Sequence, residues 1–531
     1  MRDLLIAAAA LAVAPAAFAQ AGSLAPVEET ALAEDAFATG LLSRGEGALA
    51  PDLWRGADSA TLVKLLRAAP ARPAGPSIGG TLRRVLLTPG ESPPDATPAL
   101  GGEKLKALAR SGFASEARTI ESLAAGTRTD PASAEAMAVA DLLAGDPEAA
   151  CDRSRRGDGG ARAGEFWVRL RVLCYSRAGE LDAAELALGV LRDAGRLTKA
   201  DETVLVPLAA GVAPNPASEP IGPIHFAAMR ANNVALSSDM LAAAEAGVVK
   251  AIANDATAGW PLRIGAAKMA AAMGVLSGGE LRSLFAAAPD GAHDYVAIAK
   301  MTAPELLRDK AARIAAAIRG AGDFSSLYAT ALLYAEDIRA FEGALLPAGE
   351  ALSFALARLV LGDAGEAEKW LIAAIPAVQE GGADAGRFSN ALGLLALLDR
   401  ASAERVAATA KVEIPGTPAR RPAAATSALS PAIVSAALDA AASGSKGEAA
   451  LAALSASTAA AAGDATAEVV MMQSFFVAGL GDIARRRAVE EAIAAMFDRN
   501  ESAEENSMTA ASAAEGAADR PIPRLKPKRD S

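Results

Sequence analysis

Three arrangements in the sequence carry residue types that could do chemistry. Gly75-Pro76-Ser77-Ile78-Gly79 matches the G-x-S-x-G pattern of a nucleophile elbow. There a serine stands on a sharp strand-to-helix turn, served by a histidine base and an acid. Here the flanks are proline-rich, no strand-forming run precedes the serine, and only His225 and His293 could act as base. The stretch therefore reads as linker. The two histidines are the second arrangement. A catalytic zinc wants about three His or carboxylate ligands at spacings such as H-E-x-x-H, and neither histidine has a partner so placed. Structural or surface roles are expected for both. Cys151 and Cys174 are the third arrangement, the only two cysteines in 531 residues. They form no C-x-x-C, so a structural role is expected rather than redox chemistry.

Other fragments carry less. Ser443-Gly444-Ser445-Lys446-Gly447 lacks the spacing of a phosphate-binding loop and reads as a polar loop. Met472-Gln473, in the run VVMMQSFF at 469–476, has none of the surroundings of a lytic transglycosylase, which needs a glutamic acid before a serine in its own lysozyme-like module. No catalytic, cofactor-binding or metal-ligating residue is expected, and the chain reads as no enzyme. Trp54, Trp167, Trp260 and Trp370 are expected in helix cores.

The elements that would position any site are helices. The apolar fraction is 52%, the aromatic fraction only 4%, and alanine supplies about a quarter of the chain. Alanine gives up no side-chain entropy in a helix, and β-branched runs of the kind strands need are scarce. The class is all-α. The net charge of −11 argues against nucleic-acid binding, which needs basic surface to displace counterions.

Proline clusters divide the chain. The expected order is a signal peptide at 1–19, an N-terminal helical segment at 20–69 and a Pro/Gly-rich linker at 70–101. Helical hairpins follow at 102–210, a Pro-rich linker at 211–223 and a helical array at 224–411. A Pro/Ala linker at 412–431, C-terminal hairpins at 432–499 and a disordered tail at 500–531 complete it. The tail ends in Arg520, Arg524, Lys526, Lys528 and Arg529, a possible weak contact for an anionic surface.

Stop-and-start signals recur between helices. At Gly145-Asp146-Pro147 the glycine can end one helix, the aspartate can cap the next, and the proline fits its first position. Similar signals stand at Gly179, Gly322-Asp323, Gly362-Asp363 and Gly481-Asp482, with capping-box spacing at Ser277/Glu280 and Thr302/Glu305. Leu306, Leu307, Ala311, Ile314 and Ile318 should share one helix face. Gly145 and Gly179 are 34 residues apart, and five residues after Gly145, Gly179 and Gly362 comes an alanine, where two crossing helices need a small side chain.

Tyr175, Gly179, Ala184 and Leu188, and again Ala355, Gly362, Ala367, Leu371 and Pro376, resemble degenerate tetratricopeptide repeats. The whole chain resembles the alanine-rich, signal-bearing helical repeat proteins of alphaproteobacteria, often labelled antifreeze glycopeptide polyproteins. That label follows alanine content, and threonine here lacks the regular spacing of an ice-binding helix. The resemblance implies an α-solenoid of tetratricopeptide-like hairpins and brings no catalytic residues. In such hairpins Cys151 and Cys174 fall on neighbouring helices, so a disulfide is expected in an oxidising compartment.

Arg2, the apolar run after it and Ala17-Phe18-Ala19 read as a signal peptide cleaved near Ala19, placing the protein in a periplasm. No later run offers the roughly 20 apolar residues of a membrane span. The expected function is a scaffold or adaptor holding a protein or peptide partner in the cell envelope. The alternative is a peptidoglycan-associated enzyme accessory or degenerate lytic-transglycosylase-like protein.

Overall fold

Alanine-rich runs punctuated by Gly-Asp pairs fold as short helices that double back on one another. The structure, a computed structural model, describes residues 35–124, 126, 130–156, 164–216, 221–416 and 429–497. The signal peptide, the tail and most of the 412–431 linker lie outside the described residues. Among those described there is no strand, and no helix is long and apolar enough to cross a membrane.

Three joints show how the turn chemistry works. Helix Pro131–Leu143 meets Pro147–Arg155 at Gly145, Glu165–Ala178 meets Leu181–Asp193 at Gly179, and Ala348–Val360 meets Ala364–Ala373 at Gly362. All three glycines have φ between +75° and +79°, a conformation that costs other residues about 1–2 kcal/mol. The same bonds close each helix. Gly145 and Asp146 donate to Leu142 and Asp141, Gly179 and Glu180 to Ser176 and Tyr175, Gly362 and Asp363 to Leu359 and Arg358. Asp146 and Asp363 then accept from the N–H groups of Ala149 and Glu366. Ala150, Ala184 and Ala367 are fully buried where the partner helix crosses.

Two joints sit elsewhere than expected. Near Gly481 the positive φ belongs to Gly479, and residue 481 already starts the helix 481–497. Thr302 and Glu305 make no capping box, because Pro304–Leu306 is a 3-10 turn and the α-helix begins at Leu307. Leu306 and Leu307 are consequently exposed, while Ala311, Ile314 and Ile318 are buried. Ser277 and Glu280 do cap each other, at 3.2 and 2.7 Å.

The stretch 70–101 is the main correction. It is not a linker: Pro76–Leu87 is a helix, and Ile78, Leu82, Val85, Leu86 and Leu87 have no exposure. Pro76 sits at the helix start, where a missing N–H costs nothing. Gly79 is not a breaker but a contact point, since a Cβ there would stand 1.9 Å from the Met273 carbonyl oxygen.

A helix late in the described residues packs on this helix and on Ser59–Arg67. Helix Lys446–Ala461 is buried without interruption from Gly447 to Ser457 and touches both. Gly447 lies under Trp54 and donates to the Leu53 carbonyl at 2.8 Å. Ser443–Gly447 is thus part joint and part core, not a polar loop. In an ideal solenoid each repeat touches only its neighbours. Here residues some 400 positions apart close the chain on itself, and all the described residues belong to one packed unit.

Before the first helix, residues 35–42 run against Pro98–Arg110 and are held by Lys104. Its ammonium has no exposure and donates to the Phe37 and Thr39 carbonyls at 2.8 and 2.7 Å. Burial pushes it down to about 7, with Asp35 opposing. The unfolded chain therefore keeps, between pH 7 and 10.5, a proton the folded one releases. Stability should rise above pH 7 by up to about 1.4 kcal/mol per unit. Urea unfolding from pH 7 to 9 tests this, and the slope should vanish in Lys104→Met.

Candidate functional site

A cavity of about 800 Å3 is assembled from elements far apart in sequence. Leu66 and Arg67 end one helix, Lys106 and Arg110 end another, and Glu135 and Val139 project from Pro131–Leu143. Opposite them lie the starts of three helices, at Glu165-Phe166, at Lys199-Ala200 and at Pro223-Ile224, with Glu245 beside them.

One wall is pinned by Asp201, whose side chain is fully buried. It takes both oxygens to Arg169 Nε at 3.0 Å and accepts from the Thr198 N–H and hydroxyl at 2.9 and 2.8 Å. His225 Nε2 lies 2.8 Å from the same carboxylate, and its Nδ1 accepts from the Gly222 N–H at 3.3 Å. That assigns the proton to Nε2. Burial acts to raise Asp201, but the hydrogen bonds from His225 and Thr198 outweigh it and hold it at about 2. One carboxylate thereby ties together the starts of Glu165–Ala178, Lys199–Ala209 and Pro223–Ala231.

The other wall carries charges of both signs in pairs. Arg67 and Lys106 share Glu103, at 2.8 and 3.0 Å, and Lys106 also approaches Glu135 at 3.8 Å. Arg110 meets Glu245 at 2.7 Å. Burial raises Glu135, Lys106 opposes the rise, and Glu103 adds to it. Between the pairs the lining is apolar, with Leu66, Val139, Phe166 and Ile224. Such a cavity can hold a ligand that is itself part apolar and part charged.

The sequence-predicted residues are placed differently. Cys151 and Cys174 lie on neighbouring helices with their sulfurs 2.02 Å apart, a disulfide closing a separation of 23 residues. In the chain-entropy view that loop is worth about 3 kcal/mol. Reducing it should cost about that much in urea unfolding, and alkylation without reductant should add no label. Ser77 is a buried helix-start residue bonded to Glu490. His293 is partly buried, edge-on to Phe285, and accepts from the Tyr295 N–H; burial lowers it. Trp54, Trp167 and Trp370 are core, while Trp260 is partly exposed and stacks on Arg263.

Sequence reading missed the cavity and gave His225 no partner. A local signal existed: Thr198 and Asp201 stand at capping-box spacing, and His225 stands three residues after Gly222. Among the described residues no cluster of three or more His, Cys, Asp or Glu could hold a metal. The chain was compared with the models of known protein families, with curated proteins and with solved structures, and none matches it. Among the described residues the fold is all-helical, with a charged, partly apolar cavity.

Proposed function

We propose that this chain is a non-enzymatic scaffold of tetratricopeptide-like hairpins that binds an extended segment of a partner protein or peptide in the cell envelope. The observation that carries the reading is the 800 Å3 cavity, with paired charges of both signs around an apolar floor. A peptide offers the same mixture of groups. The repeat reading is supported by the shared joint geometry at Gly145, Gly179 and Gly362 and by the alanine buried five residues after each. The non-enzymatic reading draws on His225, whose two ring nitrogens are both engaged inside the wall. Export to a periplasm rests on the N-terminal sequence and agrees with the disulfide.

Cross-linking mass spectrometry in living cells tests the proposal. A partner should cross-link to the helices around the cavity, and Arg110→Glu, which sets two acids against each other at Glu245, should weaken that partner at least tenfold. Cross-links that ignore the cavity and survive Arg110→Glu would overturn the site. Release of muropeptides from purified sacculi would overturn the non-enzymatic reading.

A further inference from the structure

Two buried glutamates take part in the closure of the chain. Glu448, on Lys446–Ala461, is 4% exposed and accepts from the Asp58 N–H at 2.6 Å, just ahead of helix Ser59–Arg67. Glu490, on the helix 481–497, is 5% exposed and accepts from the Ser77 N–H and hydroxyl, both at 2.8 Å, at the start of Pro76–Leu87. Two C-terminal carboxyls thus grip the first two α-helices by their N-termini. Gly75 permits the approach, since a Cβ there would lie 2.5 Å from a Glu490 oxygen.

Among the described residues no cation stands against Glu448, and the one beside Glu490 is shared with other acceptors. The groups facing Glu448 are Asp58 and Asp439, both acids, while neighbouring Lys446 turns to Asp52 at 3.6 Å. Arg487 stands 3.6 Å from Glu490 but also holds Glu491 at 2.9 Å and the Ala74 carbonyl at 2.8 Å. Tyr328 and Arg486 share a small cavity with Glu490 and Ser77. A protonated carboxyl fits both seats. Its carbonyl oxygen still accepts the backbone N–H, and at Glu490 its O–H can donate to the Ser77 oxygen instead of accepting from it.

We propose that Glu448 and Glu490 form a proton-operated clasp, fastening the C-terminal helices onto the N-terminal ones more firmly as the surroundings become acidic. The sign follows from burial, which pushes both carboxyls above the ordinary 4.5 against the opposing hydrogen bonds and, at Glu490, Arg487. A group that binds its proton more tightly in the closed state favours that state as pH falls toward 4.5. The clasp does not depend on the cavity's having a peptide ligand.

Hydrogen–deuterium exchange of the full chain at pH 6.5 and 5.0, corrected for intrinsic rates, tests it, with hairpin 165–193 as internal control. The opening of 59–67 and 76–87 should fall at the lower pH relative to the control. Glu448→Gln with Glu490→Gln, neutral at both pH values, should remain closed at both. Each single variant should remove the response of its own helix only. An equal pH response in wild type and double variant would overturn the proposal, as would none in either. Failure of the double variant to fold would do the same, because the amide matches the protonated carboxyl in charge and shape.

Discussion

Gly79→Ala should destabilise the protein by about 3 kcal/mol or more, a large fraction of the stability of a domain. By helix propensity alone the same change would be favourable by about 1 kcal/mol, so the sign separates the two accounts. The added Cβ would meet the Met273 carbonyl oxygen at 1.9 Å and its carbon at 3.0 Å, both backbone atoms that no rotamer change can move aside. Gly274 presses from the other side, and its own Cβ would lie 2.6 Å from the Pro76 carbonyl oxygen. The two segments touch backbone to backbone, and an alanine at either place forces them apart. Gly80→Ala is the matched control, because a Cβ there has no atom within 4 Å. Its urea midpoint should match wild type or rise slightly, while that of Gly79→Ala falls with an unchanged slope.

Asp201→Ala should be the second severe change, at about 3–5 kcal/mol, because it leaves a largely buried guanidinium without its carboxylate. Arg169 would keep Glu165 at 3.2 Å and the Arg196 carbonyl at 2.6 Å, and His225 would lose its acceptor. The same carboxylate sets an acid limit. Its folded value of about 2 lies below the ordinary 3.8, so its contribution is complete above 3.8 and disappears as pH falls through 2. Acid unfolding of Asp201→Asn should therefore show a shallower loss of stability between pH 4 and 2 than wild type. An identical acid limb in the two proteins would contradict the role given to Asp201.

What the sequence makes legible is local. Gly145-Asp146-Pro147 works as a stop, a cap and a start because each residue acts within four positions of itself. Cys151 and Cys174 were readable because consecutive helices are neighbours in space. Gly75 and Gly79 were misread as linker residues for the complementary reason. A glycine that breaks a helix and a glycine that admits a neighbour look alike until the neighbour is known, and here the neighbours are Glu490 and Met273. The cavity was illegible on the same ground. Arg67, Glu135, Arg169 and Glu245 belong to separate segments, each with ordinary surface-like surroundings in sequence. Only Thr198 and Asp201 left a local trace, and capping spacing alone does not reveal that the cap is also a wall.

The closure also has a timetable. Helices Ser59–Arg67 and Pro76–Leu87 are synthesised well before the surfaces that cover them, which include Gly447, Ser455 and Glu490. Until residues 446–490 have emerged, Leu62, Leu65, Ile78 and Leu82 lack part of their final cover. A hairpin such as that at 348–373 can form as soon as it appears, because its two helices pack on each other across a short turn. The hairpin at 348–373 can thus be complete before the helices at 59–87 are, although those helices precede it. Those helices are the segments a chaperone would have to shield.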